Sequence, residues 1–220
     1  MLKREYTQMS ESYVVGALLA VVGGFLDAYT YISRGKVFAN AQTGNIVLMG
    51  LNISQKNFSS TIHYMIPIAA FILGIVLSEL IRSRFKQNSL IHWRQIVVAV
   101  EIVILTVVAF VPKGNMDLIV NSAISFVCAL QFECFRKYTT TMCTGNLRSA
   151  TEQLFIYYHT KNVQELTKGL ELYGIILFFI FGVILGTVLT NMIMERAVLF
   201  SCIILAVVFG TMFRKEKILN

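Results

Sequence analysis

Charge is scarce in this chain. Lysine, arginine, aspartate and glutamate make up 14% of its 220 residues, against about a quarter in an ordinary soluble domain. Hydrophobic residues account for 56%, and the mean hydropathy is +0.68. This composition excludes a soluble domain and indicates an integral membrane protein. At about 20 residues per crossing plus short loops, the length accommodates roughly six spans and no separate soluble domain.

Catalytic and metal-binding patterns are missing too. Cys128, Cys134, Cys143 and Cys202 form no CxxC pair and have no histidine at ligand spacing, so neither a zinc site nor a disulfide framework is expected. They read as apolar packing residues. His63, His92 and His159 are scattered at the predicted membrane boundaries and form no ligand set. The chain has no Ser/His or Cys/His pair and no HExxH motif, which argues against an intramembrane enzyme. No cofactor is expected.

Hydrophobic stretches are present at about 13–32, 63–82, 95–111, 118–135, 170–190 and 197–213, and these predict six transmembrane helices. The first follows a polar amino terminus with Lys3 and Arg4 and is near full spanning length, so it is expected to be retained rather than cleaved as a signal peptide.

One tripeptide occurs twice, as Thr43-Gly44-Asn45 and Thr144-Gly145-Asn146. It opens the segments 37–53 and 142–158, which are too polar in their first half for confident spans and too apolar for free loops. A second match follows each copy: Phe71-Ile72-Leu73-Gly74 corresponds to Phe179-Ile180-Phe181-Gly182. The chain therefore reads as a duplication, with a first repeat at 1–112 and a second at 113–220, meeting near Pro112-Lys113-Gly114-Asn115, a natural turn.

Loop charge decides how the halves are oriented. With six spans, fourteen of the nineteen lysines and arginines fall on one side, leaving Arg34, Lys36, Lys56, Lys113 and Arg196 on the other. By the positive-inside rule both termini are cytoplasmic. If the Thr-Gly-Asn segments also crossed, the cluster Arg82, Arg84, Lys86 and Arg94 would move outside, against that rule. Three crossings per half make a 3+3 inverted repeat with a re-entrant Thr-Gly-Asn segment in each half, a pattern that marks many transporters. The basic inner loops fit topology and anionic lipid headgroups rather than nucleic acid.

In each tripeptide the threonine or asparagine can cap a helix, and the glycine permits a sharp turn or close approach. A half-helix starting there directs its free N–H groups toward the membrane centre, where they attract an anion, a carbonyl or water. The plainer reading is that these residues cap a helix and pack the halves together.

Two carboxylates lie deep in predicted spans. Asp27 is roughly 21 Å from the inner end of the first span, and Glu133 occupies a comparable place in the fourth. An ionisable side chain at such a depth is a functional-site candidate. Gly23, Gly24 and Tyr31 share the helical face of Asp27 and offer it room and a hydrogen-bond partner. A local ion pair with Arg136 or Lys137 explains Glu133 nearly as well. Glu101 and Glu79 read as interfacial or paired, Glu79 with Arg82. Gly182-Gly186 and Gly74-Ser78 have the small-xxx-small spacing of close helix contacts, read here as packing between the halves.

The runs GGFLDAYTYI, VFANAQTGNIV and ALQFECFRKYTTTMCTGNL resemble the YoaK-type family of small bacterial multipass membrane proteins, over essentially the whole chain. The resemblance implies a bacterial inner or plasma membrane protein of unassigned activity. It picks out Gly24, Asp27, Thr43, Gly44, Asn45, Gln131, Thr140, Thr141, Thr144 and Gly145. Glu133 departs from the family pattern, which strengthens Asp27 and Gln131 at its expense.

The candidate binding residues are thus Asp27, Thr43, Gly44, Asn45, Gln131, Thr144, Gly145 and Asn146, with Tyr31 and Glu133 secondary. The function expected is a small-solute or ion transporter or channel with a central site at the repeat interface. The alternative is a non-transporting membrane protein, a lipid-binding or partner-stabilising subunit. The expected partners are the lipid bilayer and a small solute or ion, with a homo-oligomer left open.

Overall fold

A computed structural model describes residues 12–85, 93–135 and 143–213. These form eight α-helices: α1 (Tyr13–Ser33), α2 (Gln42–Ser54), α3 (Phe58–Phe85), α4 (Trp93–Val108), α5 (Asp117–Cys134), α6 (Cys143–Thr160), α7 (Val163–Ile193) and α8 (Leu199–Thr211), with a 3-10 turn at Met194–Val198.

Six of them coincide with the predicted spans, but helix length separates them. Four stretches are long and apolar enough to cross a membrane: Tyr13–Ser33, Phe58–Arg84, Asp117–Cys134 and Val163–Thr211. The last covers 49 residues and includes α7, the 3-10 turn and α8, with the break at Met194, where φ is +51°. At 16 and 13 residues, α4 and α8 are shorter than a full crossing requires. These features are consistent with a multi-pass membrane protein.

Burial divides the helices into two kinds. The first turn of α1 is capped by Ser12, whose hydroxyl accepts from Val15 N (3.3 Å), and most of the helix is buried because its apolar residues run right round it. Leu19, Val22, Phe25 and Leu26 of α1 join Val97 and Leu105 of α4, Ile124 and Leu130 of α5, and Leu205 of α8 in one core. By contrast α3 and α7 expose Leu73, Val76, Leu177, Phe181 and Ile184, as expected of helices bathed in hydrocarbon.

Glycines set how these layers meet. On α7, Gly182 lies against the backbone of Val21, and Gly24 of α1 lies against the Phe179 carbonyl. One turn on, a Cβ at Gly186 would come within 2.7 Å of the Phe25 carbonyl oxygen. In the same way Gly74 of α3 abuts Phe126 and Ala129 of α5, and Ser78 Oγ contacts Cys134 Sγ at 3.3 Å. The small-xxx-small pairs therefore act within the chain. The first helix of each half packs along the third helix of the other.

The Thr-Gly-Asn segments are helical from residues 42 and 143. At 13 residues α2 is about 20 Å long, too short to cross. It packs on α3, and α6 packs on α7. Ile46, Val47 and Leu51 of α2 and Leu147 and Phe155 of α6 remain exposed, so both helices lie at the periphery of the bundle with apolar side chains outward.

The turns after α2 and α6 share a feature absent from the sequence comparison above. Lys56 and Lys161 each take φ +55°, and each is followed by an asparagine that caps the next helix: Asn57 Oδ1 accepts from Ser60 N (3.2 Å) and Asn162 Oδ1 from Gln164 N (3.1 Å).

A cavity where the two tripeptide segments meet

A cavity of about 520 Å³ lies between α1, α3, α5 and α7 and the amino-terminal ends of α2 and α6. Asp27 and Tyr31 of α1 line it, with Thr43 of the first tripeptide and Thr144 and Gly145 of the second. Four phenylalanines, Phe38, Phe71, Phe132 and Phe179, contribute to the rest of the wall. Phe71 and Phe179 are the corresponding residues of the two repeats.

Asp27 owes its place to the glycine-rich turn of α1 and to the loop that follows the helix. After α1 the chain reverses through Gly35 (φ +85°) and Lys36 (φ +65°) and runs back along the helix. Asp27 Oδ1 accepts from Asn40 N (2.6 Å) and Ala41 N (3.4 Å), and Asn40 Nδ2 donates to Gly23 O (3.2 Å). The carboxyl is 4% exposed. It fixes the entry to α2 through one oxygen.

The other predicted site residues divide. Asn45 is fully buried and grips the Phe38 peptide from both sides: its Oδ1 accepts from Phe38 N (2.9 Å) and its Nδ2 donates to Phe38 O (2.8 Å). Asn45 thus shapes the loop and does not line the cavity. Gly44 sits under the Phe38 ring, where a Cβ would come within 2.9 Å of it. Tyr31 stacks on that ring at 4.7 Å.

Gln131 also lies off the cavity. It is 2% exposed and turns toward α1, donating to Leu19 O (3.4 Å), while its neighbour Phe132 faces the cavity. Glu133 and Asn146 are buried outside the lining. Thr140 and Thr141, and the proposed partners Arg136 and Lys137, lie outside the described residues.

Three features differ from the sequence expectation or were missed by it. Cys143 lines the cavity and is half-buried, whereas Cys128, Cys134 and Cys202 are buried packing residues. Glu101 is fully buried rather than interfacial, and neither carboxyl oxygen has a hydrogen-bond partner among the described residues. Glu79 does pair with Arg82, at 3.2 Å.

The third is Arg34, fully buried at one end of the bundle. It donates to Asp117 Oδ1 (3.0 Å), Tyr29 Oη (3.0 and 3.2 Å) and Val111 O (2.7 Å), and its carbonyl accepts from Asn121 Nδ2 (2.6 Å). Tyr29 Oη reaches Glu195 O (3.2 Å), and Glu195 Oε1 accepts from Lys113 N (3.2 Å). Through these bonds the loops after α1, α4 and α7 are tied together. A basic residue just past a span reads from sequence as a topology signal, which is why its burial was not foreseen.

Similarity to known proteins fits this arrangement. The family described as protein of unknown function DUF1275 matches residues 15–211, a range holding both tripeptides and every residue of the cavity wall. The chain belongs to the DUF1275 family. A curated relative is the UPF0700 transmembrane protein YoaK of Bacillus subtilis (strain 168), 28% identical over 149 residues. That match covers 63% of this chain and 65% of the relative's own length, so it spans just under two thirds of either protein. No solved structure matches this DUF1275 chain.

Proposed function

We propose that this DUF1275 protein is a transporter of a small solute in a bacterial cell membrane, with its binding site in the cavity between the two repeats. The observation that carries the reading is convergence. Two tripeptides 101 positions apart in the chain meet at one cavity, together with a deep carboxyl and the paired aromatics Phe71 and Phe179. Polar groups gathered in a mostly apolar cavity of this size are what small-molecule sites are made of.

The exchange of third helices between halves supports an inverted repeat, since it is the packing that an intramolecular two-fold axis produces. The matching Lys-Asn turns support it as well. On this reading α2 and α6 enter from opposite faces, and rocking of one half against the other exposes the cavity to each side in turn. The three loops joined by Arg34 belong to the outer face, and both termini to the cytoplasm.

The bonds from Asp27 to Asn40 and Ala41 favour a second reading, in which the same residues only hold a loop and the protein is a non-transporting lipid-binding or partner-stabilising subunit. Accessibility separates the two. In a cysteine-free background, single cysteines at position 43 and at Cys143 are treated with a membrane-impermeant thiol reagent from either face of sealed vesicles. Transport predicts that both react, and from either face, because they line one cavity that opens to each side in turn. If both stay unreacted while loop controls react, the cavity is dry and the second reading stands.

A further inference from the structure

The cavity wall also carries information about its ligand. We infer that it takes a small organic ammonium, an amine or quaternary ammonium joined to an apolar or aromatic body. This rests on the reading of the cavity as a solute site and adds the chemical class.

Among the described lining residues Asp27 is the only carboxylate, and no lysine, arginine or histidine is present. The ammonium of Lys36 lies 4.7 Å over the ring of the lining residue Tyr31 and is itself outside the lining. Among the described lining residues, an anion entering would face Asp27 with no cationic side chain to receive it. An apolar solute would leave the carboxyl in a desolvated cavity without a counter-charge, which is costly.

The helix ends do not reverse this balance. From the sequence, the start of α2 reads as an open anion site. In the structure three of its first four donors are used: Gln42 N donates to Asn40 O (2.8 Å), and Gly44 N and Asn45 N to Ala41 O (2.8 and 3.3 Å). The amides just before them, Asn40 N and Ala41 N, donate to Asp27. That leaves the end of α6, and a single helix terminus carries about half a positive charge against the full negative charge of a carboxylate.

The wall provides the second half of the recognition. Phe71, Phe132 and Phe179 enter from three different helices, with Phe71 and Phe132 6.2 Å apart. Aromatic faces attract an ammonium through their quadrupole and bury the carbon body attached to it. Lys36 over Tyr31 shows that contact already made by the chain's own ammonium.

Cys143 makes the inference testable in the intact protein, because it lines the cavity while the other three cysteines are buried. Alkylation by a small water-soluble thiol reagent is followed by mass spectrometry in detergent, with Cys143→Ser as background. Three probes of similar size and different charge compete: 2-phenylethylammonium, 2-phenylethanol and phenylacetate. The expected result is that the ammonium slows alkylation about tenfold more than the alcohol at equal concentration, with phenylacetate the weakest. Asp27→Asn is expected to bring the ammonium down to the level of the alcohol. Because Asp27 also holds the α2 loop, the comparison among probes in the unsubstituted protein is decisive.

Equal protection by alcohol and ammonium, or better protection by phenylacetate, overturns the ammonium class and leaves a solute-binding cavity. Free alkylation that no probe slows, or no alkylation at all, overturns the solute site together with the class.

Discussion

Arg34 offers the sharpest test of the packing. Its guanidinium is buried, and its bonds reach a carboxylate on α5, a phenol on α1 and a carbonyl in the loop after α4. Replacing it with methionine keeps much of the volume but leaves Asp117 and those acceptors without their donor. Breaking a buried ion pair by removing one partner costs about 3–5 kcal/mol, a large part of a typical folding stability of about 5–15 kcal/mol. Arg82 and Glu79 serve as the control, since their side chains are 35% and 46% exposed at a similar distance of 3.2 Å. Such a pair is worth about 0–1 kcal/mol.

The assay is a double-mutant cycle, Arg34→Met with Asp117→Asn, followed by reversible unfolding in mixed micelles. The coupling energy expected is above about 1.5 kcal/mol for Arg34 and Asp117, within the range of contacting pairs, and below about 0.5 kcal/mol for the control. Equal coupling in the two cycles would refute the idea that burial of Arg34 joins the three loops.

Gly182→Ala places a methyl against the Val21 backbone and is expected to cost about 1–3 kcal/mol by overpacking, whereas Gly50→Ala and Gly210→Ala, with nothing within 4 Å, are expected to gain up to about 1 kcal/mol from helix propensity; melting temperatures check all three. Glu101→Met removes a carboxyl buried without a partner and is expected to stabilise the fold by about 1–3 kcal/mol in the same measurement; a loss of stability would mean that Glu101 has a partner. Asn162→Ala and Asn57→Ala each remove a helix cap and are expected to cost about 1 kcal/mol, with nearly equal values if the two turns are equivalent.

Much of this protein was legible without coordinates. Composition and long apolar runs indicate a membrane protein because spanning hydrocarbon demands such runs and few charges. The positions of six helices follow from the same rule, since periodicity and length are local properties. The repeated Thr-Gly-Asn and the Phe-x-x-Gly match are visible in the sequence alone, and Asp27, Thr43, Thr144, Gly145 and Tyr31 of the predicted set line one cavity.

Tertiary structure decided the roles within that set. Asn45 and Thr43 stand two residues apart in the same motif, yet one clamps the Phe38 peptide and the other faces the cavity, because successive helical positions point about 100° apart. For the same reason Gln131 turns toward α1 while its neighbour Phe132 lines the cavity. Arg34 and Glu101 depend on contacts with residues far along the chain, and no local pattern shows whether a charge near a span will be solvated or enclosed. The sequence by itself determined that polar groups would lie within an apolar, duplicated chain; which of them share a cavity was decided by the exchange of helices between the two halves, a long-range packing with no local signature.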